Sequence, residues 1–239
     1  MKSMRNYPEV PDSALWKRGP AVPKLAHDRV HIWSAGLDSV ATFRTWLETL
    51  LSCDERARAE RFRRDVDRGQ FVLTRGILRA LLARYLGCEP ADVRFRYGHD
   101  GKPALLQDVA GGLRFNVSHA AGVALYAIGG DREVGIDVER LTPDSPERRA
   151  LLQRWTRMEA YVKACGTSIA ALVDAAHFGL LDVDAVVRRQ GWICAEVPLP
   201  GCVAAMAVQG SGWMANYWSL DANWLAASSA EGREDAATA

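Results

Sequence analysis

Between Phe71 and Leu86 apolar residues recur at helical spacing, and directly after Gly87 the period drops to two. Phe71, Ile77, Leu78, Leu81, Leu82 and Leu86 predict one long amphipathic helix, and Gly87 stops it. Short strand patterns follow. Residues 93–97 alternate, His-Asp-Gly-Lys-Pro at 99–103 reads as a turn, and residues 113–119 run as a strand into a Ser-His corner. Residues 122–130 and 133–140 read as a β-hairpin joined near Gly129-Gly130-Asp131. A further helix is predicted over 146–165, then two strands, 191–197 and 201–208, linked by Pro-Leu-Pro-Gly. Helices mixed with antiparallel hairpins predict an α+β fold, not a doubly wound parallel sheet.

The rest of the chain fits around that pattern. Residues 1–28 are rich in Pro and charge and read as an irregular lead-in. Residues 30–37 read as a strand, and 39–51 follow a helical pattern. A coarse symmetry is visible: strand and helices followed by strands, then helix followed by strands. It divides the chain into a half over 29–120 and a half over 121–224. The tail from 225 to 239 reads as disordered.

Bulk charge excludes some partners. The formal net charge is +1 over 239 residues, so no overall field points to nucleic acid or an anionic membrane. Arginine is nevertheless concentrated at 56, 58, 61, 63, 64, 68, 75 and 79, which suits a small anionic ligand. Five cysteines (53, 88, 165, 194 and 202) with no Cys-x-x-Cys spacing argue against both a disulfide framework and a zinc site. Reduced thiols fit the cytoplasm. The N-terminus has no apolar signal core, and no apolar run is long enough to span a bilayer.

Four groups of residues carry chemistry. In Gly-Ile-Asp-Val-Glu, 135–139, alternate strand residues share a face, so Asp137 and Glu139 project together while Ile136 and Val138 enter the core. Two carboxylates on one face repel unless a cation sits between them, and Mg²⁺ is the hard cation that oxygen ligands suit. By itself the pattern also fits a half-exposed strand with solvated acids. On the helix over 146–165, Glu159 and Lys163 stand one turn apart. They read as a surface ion pair worth a few tenths of a kcal/mol, or as a third carboxylate with a cation for a phosphate beside it. Ser118 and His119 end a strand without a Gly-x-Ser-x-Gly elbow. Hydrogen bonds to phosphate oxygens suit them better than a hydrolase dyad, and a buried, satisfied histidine fits as well. Gly101-Lys102-Pro103 presents one lysine on a turn and is not a phosphate-binding P-loop.

Taken in order, the series RGILRALLARYLG, GKP, FNVSH, GIDVE and RWTRMEAYVKACGTSI resembles the larger, surfactin-synthetase-activator type of 4′-phosphopantetheinyl transferase. The resemblance covers about Arg56 to Ile169. It implies two similar α/β halves packed as a pseudo-dimer, with coenzyme A in the cleft between them. It also implies Mg²⁺ held by Asp137, Glu139 and Glu159, and coenzyme A phosphates held by Lys102, Ser118, His119 and Lys163. Arg58, with Arg75 or Arg79, would reach the 3′-phosphoadenosine end. The implied reaction is attack of a carrier-protein serine on the β-phosphate of coenzyme A, with 3′,5′-ADP leaving. Glu159, or Glu139 through water, would take the serine proton, and Lys163 would help neutralise charge. A cytoplasmic monomer is implied, with acyl or peptidyl carrier proteins as partners and neither nucleic acid nor membrane.

Two departures from that family pattern stand out. Met158 occupies the position before the helix glutamate where the family has lysine. Arg157 is adjacent but lies about 100° away around the helix. Glu139 and Glu159 are only 20 positions apart, about half the family's connection, and a helical Arg-Phe-Phe-x-x-x-Glu segment near the carrier-docking side is missing. A relative that binds coenzyme A or a carrier without turnover is therefore a second reading. A metal-dependent hydrolase is a third, and the lack of a histidine cluster counts against it.

Overall fold

A computed structural model of the chain describes residues 15–98, 101–106, 112–120, 122–166, 188 and 190–234. The first part of the lead-in (1–14), two residues of the turn (99–100), the end of the resemblance (167–169) and the last of the tail (235–239) lie outside the described residues. The elements run β1 (Lys17–Arg18), β2 (Arg29–Gly36), α1 (Arg44–Thr49), α2 (Cys53–Glu60), α3 (Asp65–Leu86), β3 (Phe95–Tyr97) and β4 (Pro103–Leu105). Then come β5 (Leu113–Ala120), β6 (Val123–Gly130), β7 (Val134–Arg140), α4 (Pro146–Cys165), β8 (Trp192–Glu196), β9 (Cys202–Gln209), β10 (Met214–Ser219) and α5 (Ala222–Glu234).

The two halves repeat one another. Strand β2, then α3, then the antiparallel pair β5 and β6 give the order β2-β6-β5; strand β7, then α4, then β8 and β9 give the order β7-β9-β8. In each half the first strand pairs with the third and a long helix covers the sheet. Strand β10 returns to the first sheet, parallel to β2, with β1 on its outer edge. The α+β class and the paired halves are as the sequence led us to expect.

Alternation along the strands builds the layers. Trp33 and Ala35 of β2, with Ala124, Tyr126 and Ile128 of β6, pack against Leu47, Leu73, Ile77, Leu78 and Leu81 of the helices. The opposite faces of the same strands, through Val30, Ile32, Leu125 and Ala127, meet Val134, Ile136 and Val138 of β7 and Ala204, Met206 and Val208 of β9. Beyond that second sheet, Ala205 and Ala207 pack on Ala160, Tyr161 and Ala164 of α4. The order is helices, sheet, sheet, helix. Among them, each fully buried Leu, Ile, Val or Met side chain contributes roughly 1.5–3 kcal/mol of transfer free energy.

Local chemistry sets the limits of the helices. Ser145 caps α4, its Oγ accepting from the Arg148 N–H at 3.2 Å, and Pro146 fits the first turn because its missing N–H has no partner to lose there. Helix α3 ends where Gly87 adopts φ 63°, a left-handed conformation that glycine takes without strain.

Three expectations change. Strands β6 and β7 do not form a hairpin: β6 pairs with β2 and β5, and β7 opens the second sheet. A Gly-Gly-Asp turn is a local signal, whereas the strand partner is chosen by which apolar face must be covered. The repeat accordingly places the border after Gly130, because residue 120 falls within the β5–β6 hairpin. The tail is helical to Glu234, since Trp224 and Leu225 are buried against Trp33 and Leu220 in the first core. The described part of the lead-in is also tied down, with Lys17 and Arg18 paired to Trp218 and Ser219.

One close approach fixes the second half. A Cβ on Gly135 would stand 2.0 Å from the Ala160 carbonyl oxygen and 2.5 Å from the Ala164 nitrogen. Both are backbone atoms, so β7 and α4 would have to separate. We expect Gly135→Ala to cost at least about 1–3 kcal/mol of stability in a denaturant titration. An unchanged midpoint would show that the strand and the helix do not touch there.

Candidate active site

The alternation that buries Ile136 and Val138 between the sheets turns Gly135, Asp137 and Glu139 toward α4. Asp137 is 4% exposed. Beside β7 lies β5, whose Asn116 Oδ1 accepts the Ile136 N–H at 2.9 Å. Two residues on, the Ser118 hydroxyl donates to Asp137 Oδ1 at 3.0 Å. From α4, the Lys163 ammonium donates to the same Oδ1 at 2.5 Å and to Ser118 Oγ at 3.2 Å. Three elements thus converge on one carboxylate.

The second oxygen differs. Asp137 Oδ2 is buried and accepts no hydrogen bond. An orphaned buried carboxylate oxygen is costly unless something cationic or donating meets it. Glu159, one turn before Lys163 on α4, stands in the electrostatic range of the same group. Its pKa is raised, first by burial and then by Asp137 and Glu139, against the lowering pull of Lys163. His119, at the end of β5, is held below the usual histidine range by desolvation and by Lys163. The predicted residues Ser118, His119, Asp137, Glu139, Glu159 and Lys163 therefore come together.

Among the described residues no three His, Cys, Asp or Glu side chains are gathered into a ready-made cage. Lys163 supplies the countercharge at Asp137 instead. The donor set is nonetheless all oxygen: Asp137 Oδ2 is unpartnered, and Asp137 and Glu139 both act electrostatically on Glu159. That chemistry fits Mg²⁺, which binds one or two carboxylates and keeps other positions for water and substrate phosphates.

Further along, a cavity of about 450 Å³ opens between the β3–β4 turn, β5 and the end of α4. Lys102, Arg114, Phe115, Glu133, Cys165 and Trp192 are among its walls. Lys102 donates to Glu133 Oε2 at 2.9 Å and to the Ala164 carbonyl at 2.6 Å, so it joins the turn to the end of α4. Arg114 Nε donates to the other Glu133 oxygen at 2.9 Å. Glu133 and Arg114 were missed in the sequence. Arg114 sits in a plain strand alternation, and nothing in the spacing marks Glu133.

The arginines divide. Arg58 is exposed on α2, its guanidinium over the Phe71 ring at 5.5 Å. Arg75 and Arg79 do not join the site. Arg79 Nε donates to Glu55 Oε2 at 2.6 Å, and its Nη1 to the Pro90 and Val93 carbonyls, each at 2.9 Å. Arg75 Nε donates to Glu55 Oε1 at 2.5 Å, and the guanidinium lies 4.2 Å from the Phe95 ring centre. Glu55 also accepts the Ser52 N–H at 3.0 Å. This buried network ties α2 to α3 and the β3–β4 hairpin, and Arg75 and Arg79 stand in it rather than beside Asp137.

Both sequence departures are visible. Residues 141–145 alone join β7 to α4. Arg157, next to Met158, lies 3.7 Å from Glu196 of β8.

Residues 38–128 match the sequence family described as "4′-phosphopantetheinyl transferase, N-terminal". The chain is 36% identical over 231 residues to the 4′-phosphopantetheinyl transferase HetI of Nostoc sp., covering 85% of this chain and 97% of that protein. It is 33% identical to a putative 4′-phosphopantetheinyl transferase of Synechocystis sp., over 52% of this chain and 60% of the other. With the 4′-phosphopantetheinyl transferase of Bacillus subtilis it shares 24% identity over 55% of this chain and 67% of that protein.

Proposed function

The chain belongs to the 4′-phosphopantetheinyl transferases, enzymes of phosphopantetheine transfer to carrier proteins, and from that premise we propose how it works: in an Mg²⁺-dependent step it moves the arm of coenzyme A onto a carrier serine. The observation that carries this reading is the convergence of Ser118, Lys163 and Glu159 on Asp137, whose second oxygen is buried and unpartnered. Asp137, Glu139 and Glu159 would hold Mg²⁺, which when bound neutralises charge on the pyrophosphate and on the leaving group.

The protein's own groups do the rest. Lys163, one turn from Glu159 and with a side chain 31% exposed, has further ammonium protons to donate to a phosphate oxygen. Ser118 and His119 supply donors at the end of β5. A neutral His119, favoured by its lowered pKa, can donate through one ring nitrogen while adding no charge. The cavity beside Lys102 and Phe115 takes the nucleotide end, and Arg58 remains the candidate for the 3′-phosphate. The carrier serine oxygen bonds to the β-phosphorus, the bond from that phosphorus to the bridging oxygen breaks, and 3′,5′-ADP departs. Glu159 directly, or Glu139 through water, accepts the serine proton. Among the described residues no helix is long and apolar enough to cross a membrane, and a cytoplasmic location suits both substrates.

Intact-mass measurement on several apo carrier proteins, with Mg²⁺ and coenzyme A, tests the reading. One added phosphopantetheine on at least one carrier is expected. Coenzyme A binding with no mass gain on any carrier would overturn the transfer step and leave a binding protein.

A further inference from the structure

We propose that the outward face of the first half of α4 is the docking surface for the acceptor, and that it takes an acidic surface of that protein carrying an apolar side chain. The inference rests on the transferase reading above for the identity of the acceptor. Leu151, Trp155, Glu159 and Lys163 follow one another at intervals of four, so they form a single ridge along α4. The last two belong to the active site. The first two are large, apolar and open to solvent, at 59% and 40% exposure. Nothing in the fold requires this, because the buried face of the helix is already filled by Leu152, Thr156 and Ala160.

Charge says what fits. Residues 146–157 hold four arginines and one glutamate. Arg149 is bound to Asp144 at 3.0 Å and Arg157 is drawn to Glu196. Arg148 and Arg154 stand exposed on either side of Leu151, one turn before and one turn after it. A surface with a tryptophan and a leucine at its centre and arginines at its rim matches the residue types that dominate protein recognition. Its complement is an apolar residue set among carboxylates. Position commits it to the acceptor: the incoming serine must reach Glu159, and Trp155 is one helical turn from it.

Steady-state kinetics with an acidic apo carrier as the varied substrate tests the docking, alongside calorimetric titration of that carrier without coenzyme A. For Leu151→Ala/Trp155→Ala we expect the carrier KM and Kd to rise about tenfold or more, with kcat and the coenzyme A KM within about twofold of wild type. Arg148→Glu/Arg154→Glu changes only exposed positions and does not endanger the fold. It is expected to weaken the carrier at low salt and to flatten the salt dependence seen in wild type. An unchanged carrier KM in both variants overturns the docking face while leaving the transferase reading intact. So does a wild-type dimer that the Leu151→Ala/Trp155→Ala variant dissolves, because the face then belongs to a second copy. Carrier binding that these variants weaken, without any transfer, upholds the face and sinks the transferase reading. A wild type that neither binds nor modifies acidic carriers overturns the docking face.

Discussion

Asp137→Asn is expected to lower kcat/KM for transfer by about a thousandfold or more while leaving the protein folded. The side chain keeps its shape, and its oxygen can still accept from Ser118 and Lys163, as Oδ1 does at 3.0 and 2.5 Å. What it loses is negative charge and the second acceptor. Oδ2, buried with no hydrogen bond, contributes nothing to the fold that an amide nitrogen would remove. Replacing a desolvated anion by a neutral group offsets part of the lost attraction to Lys163, so stability should hold to within about 1 kcal/mol. Loss of activity with an unchanged or higher melting temperature is therefore the expected pair of results. Retained transfer would refute the carboxylate as a cation ligand. A collapse of the fold would mean that the Lys163–Asp137 pair is structural.

Glu55→Ala is expected to do the opposite. Burial by itself would raise the Glu55 carboxyl, but Arg75 and Arg79 outweigh it and hold its pKa below the usual range. Removing it leaves two guanidinium groups, with side chains 11% and 3% exposed, without their shared partner. An uncompensated buried charge costs about 3–5 kcal/mol, which lowers the melting temperature of a chain this size by roughly 6–20 °C. Arg79→Ala should also lose stability, because it removes one of the two guanidinium partners of Glu55 and leaves the Pro90 and Val93 carbonyls without their donor. In both variants the coenzyme A KM of the folded fraction should match wild type. A weakened coenzyme A KM without loss of stability would return Arg79 to the nucleotide site.

The contrast between these two residues shows what the sequence can and cannot reveal. Asp137 and Glu139 were legible because a strand has two faces. Once Ile136 and Val138 must be buried, both acids must share the other side. Glu159 and Lys163 were legible for the analogous helical reason. The ion pairs of Arg75 and Arg79 were not legible, because a run of arginines states only that charge is present. Their partner lies on α2, 20 and 24 positions earlier, and its choice depends on how α2 packs against α3. The β6–β7 connection failed for a related reason. Turn chemistry is local, but the pairing of β7 with β9 is decided by the layer of apolar residues between the two sheets. The repeat itself survived, since each half buries one helix and three strands in the same order.

The tail marks a further limit. Ala, Ser, Gly and Glu gave no sign of a core, yet Leu225 is fully buried and Trp224 donates to the Pro20 carbonyl at 3.0 Å. Contacts across that separation cannot be read from composition.

The central claim is that Asp137, Glu139 and Glu159 form a divalent-cation centre. Mn²⁺ serves as a paramagnetic stand-in for Mg²⁺, and its binding can be followed by electron paramagnetic resonance in the presence of coenzyme A. The wild type should bind one Mn²⁺ that Mg²⁺ displaces, and Asp137→Asn should weaken it by about tenfold or more. Equal Mn²⁺ affinity in the two proteins would contradict the assignment.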